Sequence, residues 1–219
     1  MSTALLPEMA AGEQRLLLSD IDWETYDQLL SLLEGRHLRL NYDQGTLEIM
    51  TTSGEHERLK KLLARLLEVI TEELNVPIMG VGNWTLRRED LSRGLEPDEC
   101  WYVAHEELAR TAEELDLNEI PPPDLVVEIE VSRSVVNRLA LLAALGVPEV
   151  WRYDGRQLVV LRLESGGRYA ERDHSPTFPQ IPLPSIVDHL KLRGATDETT
   201  IVRSFRRWLQ GRLDAGAET

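Results

Sequence analysis

Residues 122–155 read PPDLVVEIEVSRSVVNRLALLAALGVPEVWRYDG, and the architecture is set out within this run. At the two-residue period of a strand, Asp124, Val126, Glu128 and Glu130 point to one face and Leu125, Val127, Ile129 and Val131 to the other. One face is apolar. The other carries three carboxylates, whose mutual repulsion calls for a cationic neighbour. From 136 to 145 apolar residues recur at helical spacing, Gly146 ends the run and Pro148 blocks its continuation. Residues 150–153 predict a second strand, and Asp154-Gly155 turns the chain into a third at 158–163. The stretch is strand, helix, hairpin.

Upstream, residues 1–14 are small, polar and unpatterned and read as a loose tail, which leaves residues 15–219 as a single domain. A short strand at 16–18 is followed by a packing helix on which Trp23, Tyr26, Leu29, Leu30 and Leu33 share a face, until Gly35 stops it. Alternating segments at 38–42 and 46–50, joined by Asp43-Gln44-Gly45, predict a hairpin with Glu48 in its second arm. The clearest helix spans 55–74, with Leu59, Leu62, Leu63, Leu66, Val69 and Ile70 on one stripe. Extended pieces follow at 76–81 and 83–87. Then Glu96-Pro97-Asp98 delivers an acid to the mouth of a strand at 99–103. Residues 105–117 tolerate a helix, and Pro121 to Pro123 force an extended entry into the central strand. Beyond the last hairpin, Gly166-Gly167 and FPQIPLP read as an irregular edge before a closing helix at 199–213.

The balance of 24 Lys and Arg against 38 Asp and Glu gives a net charge of −14, which opposes non-specific attraction to a polyanion. A divalent metal would add positive charge that this sum omits. The one cysteine, Cys100, has no partner for an internal disulfide and reads as a small core residue; CxxC pairs and HExxH are absent. No leader-like start and no uninterrupted apolar run of membrane-spanning length occurs, so the expectation is a soluble, cytoplasmic chain.

Acids at strand mouths or on a strand face, namely Asp98, Asp124, Glu128 and Glu130, suit a hard cation such as Mg2+ or Mn2+. On a phosphodiester such an ion polarises the phosphoryl oxygen, activates a bound water and offsets charge on the leaving oxygen. Arg138, one turn into the helix after the acidic strand, is the cation expected to stabilise the transition state. The same acids could equally line a solvated sheet edge. Asp124 could also cap the backbone beside it, and His56 reads as a helix-start structural residue. Trp101, Tyr102, Trp151 and Tyr153 sit in strand-like patterns and read as core.

The runs EPDEC, PPDLVVEIEVS and RLALLAALGVPEVWRYDG resemble the Uma-type family of restriction endonucleases, a branch of the PD-(D/E)XK nuclease superfamily. The resemblance extends from DWETYDQLL through YDQGTLEIM and EHERLKKLL to FRRWL, and GVPEVWRYDG is its most specific part. It implies an α/β (α+β) fold with a restriction-endonuclease-like core, a central mixed β-sheet flanked by helices. It further implies a metal-dependent endonuclease acting on DNA, with Asp98, Glu128 and Glu130 around Mg2+ or Mn2+ and Glu57 as a further acid. By analogy with nucleases that cut both strands, a homodimer is expected. The chain departs from the superfamily pattern in having Glu130 where lysine stands two residues after the second acid. The matching basic residue lies in the following helix as Arg138, where many relatives have lysine. Guanidinium stays charged and cannot act as a base, so the alternative is a catalytically weak nuclease fold that binds nucleic acid or a protein partner.

Overall fold

A computed structural model describes residues 3–5, 13–130 and 134–217. Two six-stranded sheets and six helices make up the described chain. The first sheet is built from β1 (Thr3–Leu5), β2 (Arg15–Leu18), β3 (Arg39–Asp43), β4 (Thr46–Met50), β6 (Leu86–Arg88) and β7 (Arg93–Leu95), in the order β1-β2-β4-β3-β7-β6. The second contains β5 (Met79–Gly82), β8 (Glu99–Tyr102), β9 (Leu125–Ile129), β10 (Glu149–Tyr153), β11 (Leu158–Leu163) and β12 (Tyr169–Arg172), in the order β12-β11-β10-β9-β8-β5. It is a mixed sheet. β9 and β10 are parallel, bridged by α4 (Arg138–Ala144), while the other pairs are antiparallel.

The central strand is buried on both sides, as a parallel-paired strand with helices over its faces should be. Leu125, Val127 and Ile129 enter a core shared with α2 (Gly54–Leu74), α5 (Leu183–Leu190) and α6 (Glu198–Ala217). Val126 enters the opposite core with Cys100, Leu141 and Leu142, on the α4 side. Glu128 shares the parity of Val126, so the strand's alternation aims it at the helix that starts with Arg138. Val131, expected on the apolar face, lies outside the described residues.

Local signals explain the elements that place the site. The β3–β4 hairpin turns through Gln44 at φ 47° and Gly45 at φ 97°, the left-handed pair of a two-residue hairpin loop. On α2, Ser53 accepts a hydrogen bond from the His56 N–H and Asn75 closes the C-terminus in the left-handed conformation. Each fully buried α2 leucine contributes roughly 2 kcal/mol of transfer free energy, so the leucine stripe together outweighs a cap worth about 1 kcal/mol. Helix α1 (Trp23–Leu33) covers the first sheet, where Tyr26 stacks on Tyr42 at 4.6 Å.

Several expectations need correction. The segment at 1–14 is not uniformly loose: Thr3–Leu5 pairs with β2 and Glu13 is buried, while residues 1–2 and 6–12 lie outside the described residues. The expected helix at 105–117 is α3 (Glu106–Thr111) alone, and α4 begins at Arg138 instead of 136, capped by Asn137. β7 and β12 lack a repeating apolar pattern and are strands because neighbours pair with them. FPQIPLP leads into α5, whose Pro184 sits in the first turn, where a missing N–H costs nothing.

Candidate active site

Three segments distant in sequence carry the site. Asp98 precedes β8, Glu128 lies in β9 and Arg138 opens α4. β8 and β9 pair at Glu99↔Val127, so Asp98, one residue further, falls beside Glu128. The Ile129 N–H donates to Asp98 Oδ2 at 2.5 Å. Asp98, Glu128, Glu130 and Arg138 line one cavity of about 300 Å3, joined by Arg15, Arg39, His56 and Arg152.

Asp98 is 1% exposed and fully engaged. Its Oδ2 also meets His56 Nε2 at 3.1 Å, and its Oδ1 is ion-paired with Arg39 Nη1. Arg39, also buried, reaches with Nη2 to Glu57 at 3.2 Å. Burial, and then the nearby Arg138 charge, lowers the pKa of the Arg39 guanidinium. Glu57 is held well below the usual carboxylate range, first by His56 against an opposing burial effect, then by Lys60 and Thr52. The His56 contact is the longest of these, 3.4 Å from Nδ1, against 2.8 Å for Lys60 and 2.7 Å for Thr52.

Glu128 is held in a fork. Arg138 Nε donates to its Oε2 at 2.9 Å and Nη2 to its Oε1 at 2.8 Å. The same guanidinium donates through Nη1 to Asn41 Oδ1 at 2.7 Å and through Nη2 to the Glu96 carbonyl at 2.9 Å. The cation that the acidic strand called for is therefore present at Glu128. Asp124 and Glu130 have separate partners: Asp124 accepts from the N–H groups of Val103 and His105 and from the His105 ring, and Glu130 lies 3.5 Å from Arg152.

The structure thus brings Asp98, Glu128, Arg138 and Glu130 to one cavity but leaves Asp124 as a backbone cap. Among the described residues Glu57 touches the site only through Arg39 and His56. Among the described residues no three His, Cys, Asp or Glu side chains group as a metal-ligand set, the expected trio of Asp98, Glu128 and Glu130 included; Asp98 and Glu128 face the same cavity as a pair from adjacent segments. That pair offers oxygen donors alone, the chemistry that fits a hard divalent ion.

Arg39, Asn41 and the role of Glu48 do not stand out in the residue pattern, where His56 reads as structural. All four are buried. Glu48 accepts from Arg15 Nη1 at 3.3 Å, Asn41 Nδ2 at 3.1 Å, Ser134 Oγ at 2.5 Å and the Val135 N–H at 2.9 Å. The signal was the alternation in Arg39–Asp43, which puts Arg39 and Asn41 on one face, with Asn41 directly opposite Glu48 across the hairpin. A polar face of that kind is usually solvated; here Asp98, Arg138 and the Ser134–Val135 segment pack on it. Glu149, in the most specific part of the family-like run, has a structural role: its buried carboxylate accepts from Trp151 Nε1, Ser175 Oγ and the Thr177 N–H and hydroxyl. Trp101, Tyr102, Trp151 and Tyr153 are core, as their strand pattern implied.

Residues 23–193 match the family described as "Uma2: Putative restriction endonuclease". The chain belongs to this family. The Uma2 match takes in both candidate carboxylates and Arg138, and ends before α6. Among solved structures, the chain is similar to a putative nuclease belonging to DUF820 from Anabaena variabilis ATCC 29413, with a TM-score of 0.53 and 15% identity over 75% of this chain and 97% of that one. At that identity the likeness concerns the fold, which is restriction-endonuclease-like. No curated protein matches the chain. Among the described residues no helix is long and apolar enough to cross a membrane.

Proposed function

We propose that the cavity between the two sheets is the active site of a metal-dependent endonuclease that hydrolyses phosphodiester bonds in DNA. One observation carries the reading: Asp98 and Glu128, delivered by separate strands, meet on the same cavity in a chain of the Uma2 family. In this reading Asp98 and Glu128 hold one Mg2+ or Mn2+ ion. When bound, the ion supplies an activated water at neutral pH and offsets charge on the phosphate.

The protein's own groups do the positioning. The Ile129 N–H and His56 fix the Asp98 carboxylate, so it has little freedom to rotate away from the cavity. Arg39 and Arg138 compensate charge that would otherwise be costly at these depths. Arg15 and Arg152 also face the cavity, so its four arginines balance the carboxylates of Glu13, Asp98, Glu128 and Glu130, and the lining lacks the negative excess that would repel a phosphate from the chain as a whole. Arg138 remains charged throughout and moves no proton, so the proton from the attacking water passes to solvent or to the half-exposed Glu130. Two such cavities in a two-fold homodimer would address the two strands of a duplex.

A binding-only role is the second reading, favoured by the guanidinium that each carboxylate already carries. Supercoiled plasmid incubated with the purified protein and Mn2+ separates the two. The endonuclease reading expects nicked circles that vanish with EDTA and in Asp98→Ala. DNA retention without cleavage at any metal concentration overturns it in favour of binding.

A further inference from the structure

We infer that Arg138 is a resident cation, socketed by the fold onto Glu128, and that it competes with a divalent metal for that carboxylate. The inference deepens the endonuclease reading and rests on it for the identity of the competing ion. A guanidinium has five N–H donors: one on Nε and two on each Nη. In Arg138 the Nε donor and one Nη2 donor go to Glu128, the second Nη2 donor to the Glu96 carbonyl, and one Nη1 donor to Asn41. Four of the five are thus spent on the protein. A side chain poised to clasp a phosphate would keep its fork open toward the ligand, whereas this fork closes on Glu128.

The socket is anchored behind the arginine as well. Asn41 can present its oxygen to Arg138 because its amide nitrogen donates to Glu48 Oε2. Glu48 in turn holds Ser134 and the Val135 N–H, in the segment that launches α4. The helix start and the side chain are therefore fixed by the same buried carboxylate on β4. Asn41 and Glu48 are positioning residues for Arg138. Both Glu128 oxygens are already in charge-assisted bonds, and Glu128 is 7% exposed, so an entering ion meets an occupied ligand beside a fixed positive charge. A lysine could leave by giving up its proton in such a place; arginine cannot.

Direct Mn2+ binding tests this without reference to catalysis. Free Mn2+ is followed by electron paramagnetic resonance during titration of the full chain, and of Arg138→Ala, Arg138→Lys and Asn41→Ala, with circular dichroism confirming that each is folded. Arg138→Ala should bind Mn2+ with a dissociation constant lowered about tenfold, the size of an ordinary coupling between charged sites. Arg138→Lys and Asn41→Ala should show smaller gains, and adding Glu128→Gln to Arg138→Ala should abolish the gain. Equal, measurable affinity in all the single variants and the native chain overturns the inference while leaving the metal-dependent reading standing. No binding in any of them overturns both. Should Arg138→Ala fail to fold, the other two single variants decide: a gain in either supports the competition, and no gain in both overturns it.

Discussion

Asp98→Asn should lower stability by about 2–4 kcal/mol. The substitution keeps size and shape and removes the charge. Asp98 is buried at 1% exposure and Arg39 at 6%, so the guanidinium loses its closest partner in a place where water cannot replace it. Breaking one side of a buried ion pair costs about 3–5 kcal/mol in general. Two features reduce that cost here. Arg39 retains Glu57 at 3.2 Å, and the asparagine oxygen can still accept the Ile129 N–H. For a chain of 219 residues the loss corresponds to a fall in Tm of about 4–16 °C. Urea denaturation followed by tryptophan fluorescence measures it directly. Arg39→Met alone and combined with Asp98→Asn completes a double-mutant cycle, in which the two sites should couple by about 2 kcal/mol. A cost for Asp98→Asn below about 0.5 kcal/mol, or additivity in the cycle, would refute the buried pair and with it the preorganised Asp98.

Two further outcomes follow from the same geometry. Glu57 has a folded pKa depressed below its unfolded value, so its contribution to stability is complete above an unfolded pKa of about 4.3 and is lost as pH falls through the folded value. Glu57→Gln should therefore flatten the loss of urea midpoint below about pH 4, and an unchanged acid limb would count against the Glu57 contacts with His56, Lys60 and Thr52. Gly94→Ala should destabilise by about 1–3 kcal/mol, because a Cβ there would lie 2.2 Å from Tyr26 Oη, and the tyrosine is buried and stacked on Tyr42. Tyr26 Oη has no hydrogen-bond partner among the described residues, so Tyr26→Phe should relieve part of that loss; calorimetric Tm values for both variants and the pair show whether it does.

Much of the candidate site was legible because its residues announce themselves locally. Glu128 stands in a strand whose apolar alternation is unmistakable, Asp98 follows a proline at a strand mouth, and Arg138 begins a helix stopped by Gly146. Short-range period and turn chemistry are written in neighbouring residues, so a single chain displays them. The partners were not legible in the same way. His56, Arg39 and Asn41 look like ordinary polar residues until two sheets close around them.

Neighbouring residues alone specify the strand, helix and hairpin of residues 122–155, the long amphipathic α2 and the hairpin holding Glu48, since hydrophobic period and glycine placement depend only on nearby positions. Packing in three dimensions set the rest: Asp124 caps backbone at Val103 and His105, Glu130 stays on the cavity with Glu128 but pairs with Arg152, Arg138 closes on Glu128, and Glu48 ties the hairpin to the start of α4. Those outcomes depend on which charges are buried together. Burial is set by the packing of segments as much as 97 residues apart, as between Asn41 and Arg138, and no local pattern encodes it.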